Sequence, residues 1–595
     1  MRIMLLCTSF NGLSQRVFGE LRRSGHDVRI RLAIDDGTIR TDVRNIDPEL
    51  IVCPFLRQRV PTDVWRQYRT IIVHPGPPGD RGPSSLDWAI RDGQSRWGVT
   101  AIQAVEEMDA GPIWASRVFA IPARTPRKSE LYNGPVTDAA VSLVREVVEL
   151  AHHPTFRPVP PDRYGSALSG RLRPAMRREQ RRFSWEEGTE EIIGTIRASD
   201  GSPGAPATLC GIDVAAYDVH PGPEAPGRPG TVVGRRHGAV LVRTGDGTLW
   251  IGHLRRLDAD GGPDAAHSLK LAATDVLEDR LNGVPELAER HRGSVFGDRP
   301  EIRYSRCGDV GTVHFDFYNG AMSTMQCRRL TTALRTAAAD DTRVIVIGGG
   351  ETFSNGIHLN VIDAAPDPAT EAWRNINAID DVCQQILTTD QIVISSVRGP
   401  AGAGGVMMAL CADIVLAHDG VVLNPHYRTM GLYGSEFWTY VLPRRIGEEQ
   451  AARLTEECLP VSATEAAGMG LVDQAIGGER GQFSVEVHER AAGLVGSRRD
   501  VHGAADKRAR RDADERRRPL AAYRALELAE MQRDIMDDRN GFAAARRAFV
   551  TKQPPHETPA HLAADPSGPA VAAGESTADD WDVVEQRVLA RLDTE

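Results

Sequence analysis

Short apolar, strand-like runs recur along this chain, and they restrict its fold more than any other feature. Ile3–Leu6, Leu50–Val52 and Ile71–Val73 come early, and Val310–Phe317, Val344–Gly350 and Gln391–Gly399 follow after the midpoint. Helical stretches such as Ser14–Arg23 lie between them. Strands that alternate with helices build parallel sheets, so the expected class is α/β. The 595 residues are too many for one core, and at about 150 residues per domain three or four domains are expected.

The first α/β domain is expected over residues 1–180. After the basic run RLRPAMRREQRR, residues 181–290 are richer in Gly and Pro and carry short alternating strands such as GAVLVRTGDGTLWIG, the pattern of a small β-barrel. A second α/β domain is expected over residues 301–478 and a helical region over 479–552. The KRARRDADERRR run in that region mixes charge signs and reads as a solvated helix face, with anion binding as the lesser alternative. Residues 553–595, rich in Pro, Ala and Gly at first, read as a largely disordered linker and tail in which only WDVVEQRVLARL is helical.

Composition narrows the function classes. Hydrophobic residues at 41% and charged residues at 26% are ordinary for a globular protein. A formal net charge of -10 argues against a nucleic-acid partner held through its phosphates. The eight cysteines form no C-x-x-C pair, so neither a metal nor a redox pair is expected, and a reducing cytoplasm fits. The first apolar run is interrupted by Thr8, Ser9 and Asn11 too early for a signal-peptide core, and no run approaches the roughly 18 apolar residues of a membrane helix. Small-molecule substrates remain.

Two places carry chemistry. The run Ile71–Val73 ends in His74-Pro75 and the loop GPPGDRG, and the carboxyl end of a strand is where open α/β sheets bind ligands. Further on, Met108-Asp109-Ala110-Gly111 sets a carboxylate at a turn, and His74 with Asp109 would make a general acid/base pair. The plainer alternative is a strand-capping His and a turn-forming Asp. Later, Phe353–Leu359 and Arg398–Gly405 are glycine-containing turns after apolar strands, able to aim backbone N–H groups at one oxyanion. Taken singly, such turns are as well explained by structure.

The ordered set His74-Pro75, Arg81-Gly82 and Met108-Asp109-x-Gly111-x-Ile113 resembles formyltransferases that use 10-formyltetrahydrofolate, and Ile196-Arg197-Ala198 with Pro203-Gly204-Ala205 resembles their C-terminal β-domain. The resemblance implies a Rossmann-type sheet and catalytic roles for His74 and Asp109. The asparagine that the family carries two residues before the histidine is Ile72 here, so one oxyanion donor is missing. The paired glycine turns, with Asp413-Ile414 and GLVDQAIGG, resemble the crotonase (enoyl-CoA hydratase/isomerase) superfamily, an α/β spiral. That resemblance assigns the oxyanion-hole amides to Ile357 and Gly404. Met407 and His426 stand where a hydratase has its two glutamates, so plain hydration of an enoyl-CoA is not expected. Glu436, with Tyr427 beside it as a hydroxyl partner, is the expected acid/base, while Tyr433 and Tyr440 are read equally as core.

The order of the two halves, joined to YGSEFWTYVLPRRIG, the opening CTSFNGLSQR and the late FAAARRAFVTKQPP, is similar to the HypX/HoxX family of hydrogenase maturation factors. That likeness implies transfer of formyl from 10-formyltetrahydrofolate to coenzyme A, decarbonylation of formyl-CoA, and carbon monoxide as the product for a NiFe hydrogenase. The implied partners are these small molecules and the hydrogenase maturation machinery. Asn11 and Gln15 after the first strand, and the cations Arg124, Lys128, Arg546, Arg547 and Lys552, are candidate cofactor-binding residues. Two other readings stay open: a formyltransferase fused to a CoA thioester hydrolase or isomerase, and a non-catalytic scaffold.

Overall fold

The early apolar runs become the centre of a sheet. In a computed structural model that describes residues 1–165, 170–258, 260, 262–264, 269–288, 301–495 and 498–564, the chain forms two units. The first lies within residues 1–300 and also takes Pro555–Pro559; the second is built on Glu301–Pro554.

In the first unit, Arg2–Cys7 (β1), Asp27–Leu32 (β2), Leu50–Cys53 (β3), Thr70–His74 (β4), Arg96–Gln103 (β5) and Ile113–Ala120 (β6) form one sheet in the order β2-β1-β3-β4-β5-β6. The first four strands are parallel: β1, β3 and β4 are largely continuous apolar runs inside the sheet, the edge strand β2 (DVRIRL) alternates, and β5 and β6 are antiparallel additions. Strand order reverses at β1, which opens a crevice beyond the carboxyl ends of the parallel strands. His74 is the last residue of β4.

Residues 205–272 of the same unit add Ala205–Leu209 (β7), Ile212–Pro221 (β8), Val232–Arg236 (β9), Ala239–Arg243 (β10), Thr248–Arg256 (β11) and Leu271–Ala272 (β12). They pair antiparallel in the order β7-β8-β11-β10-β9, with β12 on β11. Inward residues such as Val214, Val240 and Ile251 pack with Ile192 and Ile196 of the helix Thr189–Ser199. The barrel expectation meets an antiparallel sheet whose end strands, β7 and β9, do not pair with each other among the described residues.

The second unit contains Ile302–Cys307 (β13), Val310–Phe315 (β14), Val344–Gly349 (β15), Ile392–Val397 (β16), Ala401–Gly402 (β17), Ile414–His418 (β18), Val422–Asn424 (β19), Val461–Ser462 (β20) and Gln474–Ile476 (β21). Its main sheet runs β13-β14-β15-β16-β18-β21, parallel except at β13, and β17-β19-β20 make a small second sheet. Leu520, Met531, Ile535 and Phe542 belong to the same core as Ile347 and Val397. The expected boundary at residue 478 therefore divides no core, because the helices Leu520–Met536 and Phe542–Val550 bury their apolar faces against the α/β domain.

Two further expectations are corrected. Residues 553–564 are ordered: Thr558 accepts a hydrogen bond from Leu32 N at 2.9 Å, which satisfies a donor on the edge strand β2, and Ala560–Ala563 is helical. The KRARRDADERRR run is not wholly solvated, since Lys507 is buried with Nζ 2.6 Å from Asp413. WDVVEQRVLARL lies outside the described residues. Among the described residues, no helix is long and apolar enough to cross a membrane.

Carboxylates close the amino ends of the parallel strands. Asp413 Oδ2 accepts from Val393 N at 2.8 Å, and Asp473 Oδ2 accepts from Val415 N at 2.7 Å and lies 3.1 Å from an Arg445 guanidinium nitrogen. Asp473→Ala would leave the Arg445 guanidinium without its carboxylate, though still held by the Leu410, Ala412 and Leu471 carbonyls, and a strand amide without its acceptor. It should cost about 3–5 kcal/mol in denaturant unfolding of this unit, where the exposed Arg533→Ala should cost under about 0.5 kcal/mol. Equal losses in the two variants would contradict this account.

Candidate active sites

The first site grows from the end of β4. His74 is buried, and its Nε2 lies 2.8 Å from Oδ2 of the equally buried Asp80. An ionised carboxylate can only accept, so Nε2 carries its hydrogen toward Asp80 and Nδ1 is left for chemistry. Nδ1 lies 3.7 Å from Asp109 Oδ2. Asp109 has a left-handed backbone (φ 57), a conformation that Asp tolerates better than most residues. Its Oδ2 accepts from Gly82 N at 3.3 Å. Gly82 has φ +114, and a Cβ there would lie 2.1 Å from the Arg173 carbonyl, so only glycine brings this amide to Asp109. The spaced sequence elements thus converge on one point.

Asp80 escaped the sequence reading, although it lies in the very loop that follows His74. It orients the imidazole as the third member of a triad does. Ile72 points to the same face of β4 as His74 and lines a hollow of about 60 Å³ with Asp109, Leu56, Trp65, Ile102 and Met108. Gln58 and Gln103 also line it, so the walls are apolar with a few polar groups. Asn11 accepts from Ser14 N at 3.1 Å at the start of the helix Gly12–Arg23 and donates to the Tyr132 hydroxyl, and Gln15 donates to the Phe10 carbonyl.

The second site is built where two turns meet. A Cβ on Gly356 would lie 3.2 Å from Gly404 N, so the turn after β15 and the turn before the helix Gly404–Leu410 are in contact. Among the described residues, neither the Ile357 nor the Gly404 amide donates a hydrogen bond. Two such amides side by side suit a thioester oxygen. The Glu436 carboxylate lies against Gly404, where a Cβ would be 2.1 Å from Oε1, so a side chain at 404 would displace it. Tyr427 donates to Glu436 Oε2 at 2.9 Å, and Ser435 N donates to the same oxygen at 3.1 Å. Burial, and the charge of Asp380, hold the Glu436 carboxyl above the usual carboxylate range.

Glu436 and Phe437 are consecutive left-handed residues, φ 62 and 61, a strain of about 1–3 kcal/mol each. Side chains from distant helices hold this turn. Asp380 accepts from Glu436 N at 2.9 Å, Glu527 accepts from Phe437 N and Thr439 N, both at 2.8 Å, and Asp534 accepts from Tyr433 N at 2.7 Å. Buried hydrogen bonds of this kind contribute about 0.5–1.5 kcal/mol each, so the four together are of the same size as the strain and offset it. Met407 is fully buried core, and His426 is fixed by the Asn424 carbonyl at 2.7 Å with its pKa lowered by burial. Tyr440 donates to Asp514, and Tyr433 packs against Trp438 with the rings tilted by 54°.

The candidate cofactor cations have internal partners. Arg124 pairs with Glu130, Lys128 with Asp87 and the Ser202 carbonyl, and Arg546 and Arg547 both hold Asp363. Lys552 lies just beyond the helix Phe542–Val550 and its ammonium stacks on Phe549. Among the described residues, no three His, Cys, Asp or Glu side chains cluster to hold a metal.

Family models agree with this division. Residues 24–147 match the formyl transferase model, 175–260 the formyl transferase C-terminal domain, and 315–558 enoyl-CoA hydratase/isomerase. The crystal structure of HypX from Aquifex aeolicus in complex with tetrahydrofolic acid is 39% identical, superposes with a TM-score of 0.89, and covers 94% of this chain and 98% of that one. Hydrogenase maturation factor HoxX of Bradyrhizobium diazoefficiens is 42% identical over 567 residues, 95% of this chain and 97% of HoxX. With likeness of that extent over both halves, the chain belongs to the HypX/HoxX family of hydrogenase maturation factors.

Proposed function

We propose that the two sites act in sequence: the first moves a formyl group from 10-formyltetrahydrofolate to the thiol of coenzyme A, and the second splits formyl-CoA into CoA and carbon monoxide for the iron of a NiFe hydrogenase. The reading rests chiefly on the second site. It has two amides that donate no hydrogen bond among the described residues and the buried Glu436 carboxylate against Gly404, with Met407 and His426 where a hydratase needs acids. Such a site can hold a thioester oxygen and move one proton, and it lacks the acid pair for adding water to an alkene.

In the first step, the thiol sulfur attacks the formyl carbon. The new C–S bond forms, the C–N bond to the folate breaks, and the thiol proton passes to the folate nitrogen. His74 Nδ1 takes and returns that proton, Asp80 keeps the imidazole in the required tautomer, and Asp109 stabilises the cation that forms. The hollow beside Asp109 suits a flat ring with polar edges, and a relative solved in complex with tetrahydrofolic acid supports a folate as the ligand of this protein. Ile72 removes the side-chain amide that an amine-formylating enzyme would use, in keeping with a thiol as acceptor.

In the second step, the formyl C–H proton leaves, the C–S bond breaks, and the sulfur takes a proton, so no net proton is consumed. Glu436 does both transfers, with Tyr427 steadying its carboxyl and the Ile357 and Gly404 amides holding the thioester oxygen. Asn11 and Gln15 are proposed toward the folate. Lys552 is proposed toward the CoA phosphates together with Arg546 and Arg547, which would have to share Asp363; Arg124 and Lys128 would have to leave Glu130 and Asp87 to serve there.

Asp109→Ala and His74→Ala should each slow loss of formyl from the folate by about 10²–10⁴-fold without unfolding the protein. An Asp109→Ala enzyme that consumed formyl-folate at the parent rate would remove this site from the reaction.

Glu436→Gln keeps the shape of the side chain and removes its proton transfer. Formyl-CoA should accumulate, read by mass spectrometry of the CoA pool, while carbon monoxide release falls by about 10²-fold or more. In the parent, release from formyl-CoA should rise with pH, because the ionised carboxylate is the base, and its midpoint should lie above the ordinary ~4.3 of a glutamate. Undiminished carbon monoxide from Glu436→Gln would sink the assignment.

A further inference from the structure

The second unit also has a hollow of about 150 Å³ at the amino ends of its parallel strands. The residues Asp413 and Asp473, which cap β16 and β18, lie in its wall, whereas Gly404 follows the carboxyl end of β16. The opposite wall is the helix Arg498–Arg517, which turns Lys507, Arg510, Arg511 and Asp514 inward at a spacing of three and four residues, one helical stripe. This stripe comes from the mixed-sign run that the sequence presents as a solvated face.

The charges do not cancel. Asp413 is matched by Lys507 at 2.6 Å, Asp473 by Arg445 at 3.1 Å, and Asp514 by Arg444 at 3.0 Å. That exhausts the three carboxylates of the wall and leaves Arg510 and Arg511, which form no ion pair among the described residues. Arg511 Nε is buried with no hydrogen-bond partner. Burial also lowers the pKa of Arg510, the mark of a cation taken from water without full compensation. Two surplus guanidiniums facing one polar hollow make a fork for an oxyanion of at least two charges.

We propose that this hollow binds a phosphate or diphosphate group through Arg510 and Arg511, and that the bound anion ties the helix Arg498–Arg517 to the sheet. The site is separate from the thioester site and does not depend on the reaction proposed there. Its size admits phosphoryl groups.

The test is calorimetric titration of the full-length protein with inorganic phosphate, inorganic diphosphate and ADP, at fixed ionic strength and with CoA present to occupy any CoA site. One saturable site for phosphate or diphosphate is expected. Arg510→Gln with Arg511→Gln should weaken it by about tenfold or more, while Arg508→Gln, on the exposed face of the same helix, should leave it unchanged. The thermal midpoint of the parent, and not of the double variant, should rise with the anion. Absence of saturable binding to the parent, equal binding to the double variant, or binding of ADP with neither inorganic anion would overturn the proposal.

Discussion

A carboxylate taken out of water must be given donors or a proton, and the second half of this molecule is organised around meeting that demand. Glu436 has Tyr427 and Ser435 N; Asp380, Glu527 and Asp534 take main-chain amides of the turn that carries Glu436. The arrangement serves two ends at once. It offsets the strain of two successive left-handed residues, and it packs acids closely enough that burial and mutual repulsion keep Glu436 protonatable near neutrality. The helix Leu520–Met536 supplies Glu527 and Asp534, so the helical region is a structural support of the turn that carries Glu436 rather than an appendage to it.

The first half solves a similar problem with fewer groups. One buried carboxylate, Asp80, decides which nitrogen of His74 carries hydrogen, and one glycine amide, that of Gly82, places Asp109 opposite the other nitrogen. In both halves the side chain proposed to react sits at the end of a strand or on a turn whose surroundings are held by groups from elsewhere. Ligands meet such sites at the ends of strands because there the sheet leaves off and its main-chain groups become available.

What could be seen in the sequence follows from the range of the interactions involved. Unbroken apolar runs announce parallel strands, and His74, Asp109, Tyr427 and Glu436 sit in motifs short enough to be noticed, so those elements and their pairing were legible. Asp380 and Glu527 lie on helices far along the chain from Glu436, and nothing local distinguishes them from surface acids until the core brings them together. The same limit applies to cations. Arg546 and Arg547 look like phosphate ligands in sequence, yet Asp363 holds both, while Arg510 and Arg511 look like a solvated face and turn inward. The order of residues 553–564 was hidden for a like reason, since a donor on the distant strand β2 supplies what their own composition lacks.

The central claim is that one carbon atom passes from the folate through CoA to carbon monoxide. Its most direct test is to incubate the purified protein with CoA and 10-formyltetrahydrofolate labelled with ¹³C in the formyl group, and to analyse the headspace by mass spectrometry. The account predicts ¹³C-labelled carbon monoxide in step with tetrahydrofolate release, and only when CoA is present. Labelled formate in place of carbon monoxide, or carbon monoxide formed without CoA, would contradict it.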